Sequence, residues 1–168
     1  MIIIVMSVVA TAFILAKLIH ILSAAVLFGS GAAIAFFMFV GWRSKDVAGF
    51  ALTARHVVLA DWLFTSSAVV IQPLSGIALA HLAGWPLDAG WLLATYGLYG
   101  LVGVCWLPVV WIQLRVRKLA EQAKATDTSL PDAAHHLMRI WVILGIPAFI
   151  GVIAIYVLMI AKPVGIFG

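Results

Sequence analysis

Long, uninterrupted runs of apolar residues dominate the chain, and they fall at about 8–41, 57–82, 91–113 and 139–161. A helix that crosses a bilayer needs about 20 mostly apolar residues, so each stretch is long enough to span. Transmembrane strands would instead alternate apolar and polar residues over about 10 positions, and the run at 143–160 shows no alternation. The pattern predicts an all-α protein, an integral membrane four-helix bundle that forms a single transmembrane domain over residues 1–168.

Composition agrees with this class. Of the 168 residues, 65% are hydrophobic and 10% are charged, whereas soluble domains average about 45–50% apolar and about 25% charged. Too few charges remain to cover a surface that faces water. The single cysteine, Cys105, lies in an apolar run, which excludes both a disulfide framework and a cysteine-rich metal site.

Basic side chains are concentrated on one side of the predicted membrane. The connections after the first and third stretches hold Arg43, Lys45 and Arg55, then Arg115, Arg117, Lys118, Lys124 and Arg139. The connection after the second stretch contains Asp88 and no base. Because cytoplasmic loops carry the excess of Lys and Arg, we predict both termini on the outside (N-out/C-out). The net charge of +4 is then explained by these loops, and no nucleic-acid partner is expected.

The second basic connection is predicted to be largely helical. Charged residues continue the third helix over about 114–125, and Thr126 to Ser129 interrupts it. Ser129, Pro131 and Asp132 provide a typical helix start. The fourth helix is therefore expected to begin in the cytoplasm, with a helical extension at about 131–138.

His20 is the first ionisable side chain with a candidate function. A charged group at the centre of a bilayer costs about 2.5–3.5 kcal/mol, so such residues mark functional sites by default. Small residues, among them Gly31, share the helical face of His20 and leave room for a neighbouring backbone or a flat ring. Two interpretations stay open: hydrogen bonding to a neighbouring helix in close packing, or ligation of the iron of haem b by the neutral imidazole.

A polar stripe is predicted on the second helix. Asp61, Thr65 and Gln72 follow one another at helical spacing and share one face. This face is expected to look into the bundle, either as packing, with Asp61 paired to Arg55 or Arg139, or as a proton path or a polar wall for a quinone.

Pro73 also lies in this helix, where it frees the backbone carbonyl four residues earlier. We expect Gln72 or Ser75 to serve that carbonyl.

Two further groups are candidates for a cofactor site. His81 lies near the outer end of the second helix at about the depth of His20, so it is a candidate second ligand. Gly100 and Gly103, with Tyr96 beside them, form a groove along the third helix. Such a groove suits either close helix packing or a tetrapyrrole macrocycle.

Several motifs together resemble a known family. They are KLIHILSAAVLFGSG at 17–31, LADW at 59–62, QPLSG at 72–76, WLP at 106–108, RIW at 139–141, Pro147 and KP at 162–163. From Lys17 onward the chain resembles the bacterial membrane family catalogued as domain of unknown function 2269. The resemblance implies a multi-pass, four-helix protein of the bacterial inner (cytoplasmic) membrane, and it implies no activity.

The first helix has a second, more distant resemblance. A Lys-x-x-His motif, followed within ten residues by an aromatic residue and a glycine, is similar to the first helix of HemJ-type protoporphyrinogen oxidases and CopD-type copper-resistance proteins. The resemblance implies that His20 ligates haem b and that Lys17 lies beside the tetrapyrrole.

The functional expectation combines these residues. The sequence contains no hydrolase triad pattern, glycine-rich phosphate loop or zinc-binding helix motif. We expect a membrane protein that binds haem b or a related porphyrin and exchanges electrons with quinone, with a HemJ-like oxidase as one form of this activity. The alternatives are a non-catalytic assembly or partner protein in the bilayer, and a small metal or solute carrier that works as a homo-oligomer.

Overall fold

The structure, a computed structural model, describes residues 2–163. The helices are α1 (Ile2–Arg43), α2 (Val47–Ala60), α3 (Ser66–Leu82), α4 (Gly90–Ala125) and α5 (Asp132–Ala161), and a π-helical turn (Asp61–Thr65) joins α2 to α3. In this described part of the chain, four helical spans are long and apolar enough to cross a membrane, and α2, the π turn and α3 together form the second of them. The prediction of an all-α, membrane-embedded four-helix bundle is confirmed.

The second span begins at Val47, well before the predicted residue 57. Lys45 takes a left-handed conformation with φ 62°, and the Asp46 carboxylate accepts a hydrogen bond of 3.0 Å from the Gly49 N–H. This cap starts the helix. The hydropathy pattern did not predict a helix over 47–56 because this segment contains the polar residues Arg55 and His56. Both lie on the exposed side of α2, opposite its buried residues.

The four spans pack as two helical hairpins. α1 packs against the second span, α4 packs against α5, and the hairpins meet mainly through α2 and α4. This contact lies at the end that carries the loops at 44–46 and 126–131, called here the basic end. At the same end the Trp42 indole N–H of α1 donates to His135 Nδ1 of α5 over 2.9 Å.

Among residues 2–163 the hydrophobic core consists of two separate clusters. The larger one, at the basic end, contains Met38, Phe50 and Val116, all at most 2% exposed. The smaller one, at the opposite end, is built on Trp91 and its neighbours. Between the clusters the two hairpins diverge, and this divergence positions the candidate site.

Two tyrosines connect the hairpins where they diverge. The Tyr99 hydroxyl on α4 donates to the Val69 carbonyl on α3 over 2.5 Å. The Tyr156 hydroxyl on α5 donates to the Ala24 carbonyl on α1 over 2.8 Å. Both bonds tie one hairpin to the other across the space between them.

The Val69 carbonyl is the group that Pro73 leaves without an intrahelical partner. The expectation that Gln72 or Ser75 serves it was wrong, because the Ser75 hydroxyl donates to the Ile71 carbonyl at 2.7 Å. The partner of Val69 comes instead from Tyr99 on another helix, where a hydroxyl can approach the free side of the carbonyl.

The Tyr99 bond can be tested by a double-mutant cycle. Tyr99→Phe leaves the Val69 carbonyl without a donor and is expected to lower the free energy of unfolding by about 1–3 kcal/mol. Pro73→Ala restores the backbone N–H, so Tyr99→Phe is expected to cost less in that background. Denaturant unfolding in detergent measures both costs.

Tyr96→Phe is the matched control, because Tyr96 is exposed on the same helix. Equal costs of Tyr99→Phe with and without Pro73 would contradict this account of the bond.

Candidate functional site

A cavity of about 750 Å³ lies between the hairpins, with walls from α1, the second span, α4 and α5. We call it the inter-hairpin cavity. Its lining is mainly apolar, with a few polar side chains at separate places. Pockets for small molecules typically enclose about 300–1,000 Å³ and have this mixture of surfaces, so both the size and the lining suit a small-molecule ligand.

His20 lies on the α1 wall within a hydrogen-bonded group, the His20 network, which also contains Ser23, Gln72 and Ser75. Its Nδ1 is 3.1 Å from Ser75 Oγ, and its Nε2 is 3.3 Å from Gln72 Nε2. The Ser23 hydroxyl donates to Gln72 Oε1. The arrangement that pairs every atom is a neutral imidazole, with Nδ1–H donating to Ser75 and the Gln72 amide donating to Nε2.

Gly76 makes room for this network. A Cβ atom at position 76 would lie 3.0 Å from His20 Cε1, tighter than side chains normally pack. The surroundings of His20 therefore match the interpretation of close packing with hydrogen bonds to a neighbouring helix. Iron ligation by Nε2 stays a prediction, and it would require the Gln72 amide to move away.

The predicted polar stripe faces the inter-hairpin cavity. Asp61, Thr65 and Gln72 all line it, and the Thr65 hydroxyl is 3.0 Å from that of Ser30 on α1. Asp61 begins the π turn, in which the Ser66 N–H bonds to the Asp61 carbonyl. Such turns occur frequently at functional sites.

The proposed ion pair of Asp61 is not formed. Within residues 2–163 the salt bridge observed is Arg117–Glu121 at 3.6 Å, and Arg55 and Arg139 are both exposed. The prediction was wrong because these long side chains keep their charges at the surface, where solvation is better. Asp61, only 3% exposed, therefore faces the cavity without a basic partner among the described residues.

The other candidates divide into two groups. Gly31 and Gly103 line the cavity with His20 and the stripe. The lining of the cavity, among the described residues, does not include the candidates Lys17, His81, Tyr96 and Gly100. His81 is exposed, because nine residues past Gln72 is half a helical turn from the stripe. Lys17 is also exposed, with its Nζ 6.0 Å from the Phe13 ring.

A second polar group lines the cavity beside the basic-end core, and we call it the Trp106 cluster: Asp61, Trp106, Gln113 and Trp141. The Nε1 atoms of both tryptophans and Gln113 Oε1 are buried without a hydrogen-bond partner in the described part of the chain. The Asp61 carboxyl faces the Trp106 indole without forming a hydrogen bond of ordinary geometry.

The sequence analysis marked Asp61, but it did not assign Gln113 or Trp141 to a site. Tryptophans near helix ends usually act as interfacial anchors, so Trp141 did not stand out. The available signal was Gln113, a polar residue in an apolar run that lies two helical turns from Trp106 and thus on the same face.

The fold and the cavity together define a multi-pass integral membrane protein, a four-helix bundle with a small-molecule-sized space inside. The chain belongs to the family described as predicted integral membrane protein (DUF2269), whose model matches residues 14–163. No curated protein and no solved structure matches the chain. The family resemblance is confirmed, and the similarity to HemJ-type and CopD-type proteins stays a prediction.

The role of Gly76 can be tested by adding a methyl side chain at this position. Gly76→Ala is expected to displace the His20 ring, break the bonds to Ser75 and Gln72, and lower the free energy of unfolding by about 1–3 kcal/mol. Gly97→Ala is the matched control, because a Cβ there meets no atom within 4 Å and alanine favours helix.

Denaturant unfolding gives the stability difference, and ¹⁵N NMR of the His20 ring reports the hydrogen bonds. Unchanged ring resonances in Gly76→Ala would show that the glycine does not hold His20 in place.

Proposed function

We propose that the protein binds a membrane quinone or quinol in the inter-hairpin cavity. The observation that carries the proposal is a cavity of about 750 Å³ with a mainly apolar lining, in which buried polar atoms lack partners among the described residues. A flat ring with oxygen atoms and an apolar tail has the complementary chemistry.

The position of the cavity supports entry from the bilayer. Phe39 on α1 and Ile146 and Ile150 on α5 line the cavity, and all three are also exposed at the protein surface. The cavity therefore reaches the surface between α1 and α5. Because this surface faces lipid in a membrane-embedded bundle, a ligand dissolved in the bilayer can enter sideways without crossing water.

Haem b is the second candidate ligand, and it rests on the position of His20 in the cavity wall together with Gly31 and Gly103. When bound, haem would supply one-electron chemistry. Its iron would have to bind His20 Nε2 in place of the Gln72 amide. The described part of the cavity wall offers no second histidine. These contacts favour the quinone over the haem.

The remaining alternatives are an assembly or partner protein and an oligomeric metal or solute carrier. An assembly protein needs no cavity, whereas unpartnered buried polar atoms are rare in proteins and call for a ligand or water. A metal carrier is disfavoured because residues 2–163 contain no group of three or more His, Cys, Asp or Glu side chains that could hold an ion.

The test compares two matched glycine variants. A Cβ meets no atom within 4 Å at either Gly103 or Gly100, but Gly103 lines the cavity and Gly100 is exposed outside it. Gly103→Phe is therefore expected to fill the cavity and lower the co-purified quinone several-fold, whereas Gly100→Phe retains it. Solvent extraction and mass spectrometry quantify quinone per protein after purification in mild detergent.

The visible spectrum of the same preparations distinguishes the ligands. Quinone binding without haem gives no Soret band. A Soret band that is lost in His20→Ala would favour haem, and equal quinone in both glycine variants would contradict binding in the cavity.

A further inference from the structure

The His20 network and the Trp106 cluster both contribute polar side chains to the wall of the inter-hairpin cavity, and they differ in hydrogen bonding. In the His20 network each ring nitrogen, the Gln72 amide and both serine hydroxyls have partners. In the Trp106 cluster, Trp141 Nε1 and Gln113 Oε1 have none within residues 2–163, and Trp106 Nε1 has the Asp61 carboxyl beside it without a hydrogen bond of ordinary geometry. The groups that remain available to a ligand are therefore in the Trp106 cluster.

We infer that the Trp106 cluster is the head-group site of the ligand and that it prefers the quinol to the quinone. This inference rests on the proposed function and adds the binding residues and the redox form. The indole N–H groups of Trp106 and Trp141 donate to ring oxygens of the ligand. Gln113 Oε1 accepts a hydrogen bond from a ligand hydroxyl.

Burial makes the Trp106 cluster selective for a ligand that can form hydrogen bonds with it. Gln113 is 2% exposed and Trp141 is 6% exposed, so water does not readily replace a missing partner. A molecule that offers only acyl chains would leave Trp141 Nε1 and Gln113 Oε1 unpaired. The head must therefore present polar groups that can pair with these two atoms.

The redox preference follows from Gln113. The structure turns Oε1 toward the cluster, and this atom can only accept a hydrogen bond. A quinone carbonyl has no proton to give, so it would pair with Gln113 only after the amide rotates and presents Nε2. A quinol hydroxyl accepts from an indole and donates to Gln113 at the same time. The Asp61 carboxyl, which faces Trp106, offers a further acceptor for a hydroxyl. The reduced head thus pairs the cluster in the arrangement that the structure shows, whereas the oxidised head requires the Gln113 amide to rotate first.

The rest of the cavity suits the tail. Beyond the cluster its walls contain Val102, Phe149 and Ile155, which give a dry, apolar surface for isoprenoid units. The His20 network lies farther along, close to Gly76 on α3, and it offers the ligand no unpaired donor. A head bound there would first have to break existing hydrogen bonds.

The experiment measures binding of a decyl-chain benzoquinone, in its oxidised and reduced forms, to the full chain in lipid nanodiscs. Equilibrium partitioning with chromatographic quantification gives the affinities. We expect the wild-type protein to bind the reduced form several-fold more tightly. Trp106→Phe keeps the aromatic ring but removes the N–H, and it is expected to weaken both forms about threefold to tenfold.

Gln113→Leu separates the two redox forms. It removes the acceptor while keeping the volume similar, so it is expected to weaken the reduced form and to abolish the redox preference. Trp111→Phe is the control, because Trp111 is on the same helix, 55% exposed and outside the inter-hairpin cavity. It is expected to bind both forms like the wild type.

A photoreactive azido-quinone, used on the unmodified wild-type protein, tests the location without any substitution. Cross-links near Trp106 and Trp141 are expected. Cross-links near His20, or wild-type affinities in both Trp106→Phe and Gln113→Leu, would overturn the head-group site while leaving the proposed function standing. If the wild type binds neither redox form, the proposed function itself fails.

Discussion

The bilayer interior provides no water, so every buried polar group of this protein must find its partner within the bundle or at the wall of a cavity. This constraint divides the polar residues into two classes. The Val69 carbonyl and the His20 ring are paired by side chains from other positions. The indole of Trp141 and the amide oxygen of Gln113 are not paired in the described part of the chain. The proposed binding chemistry depends on this second class.

The architecture maintains the space in which these groups meet. Apolar side chains pack closely at both ends of the bundle, whereas the hairpins diverge between them and are joined there by Tyr99 and Tyr156. Close approach of α1 to α3 requires Gly76 opposite His20, so packing is tight on one side of the cavity. The bundle is thus held together while a volume suited to a lipophilic molecule stays open in its middle.

Much of the candidate site could be predicted from sequence, and the failures have a common cause. Periodicity placed Asp61, Thr65 and Gln72 on one face, and the structure brings that face to the cavity with His20. Hydrogen-bond and ion-pair partners were harder to predict. Asp61 lacks the expected arginine, and the Val69 carbonyl is bonded by Tyr99 rather than by Gln72 or Ser75. Helical spacing shows which residues share a face, but it does not show which neighbouring helix that face meets.

The class of the protein follows from its sequence alone, because long apolar runs with few charges are accommodated as membrane-spanning helices, and the motifs identified the family. The sequence also marked His20 and the polar stripe, since ionisable groups are costly in lipid. The packing of the helices was needed to show which polar atoms are paired and where a cavity remains. Those properties depend on the distances between residues of different helices, and the linear order of the chain does not contain them.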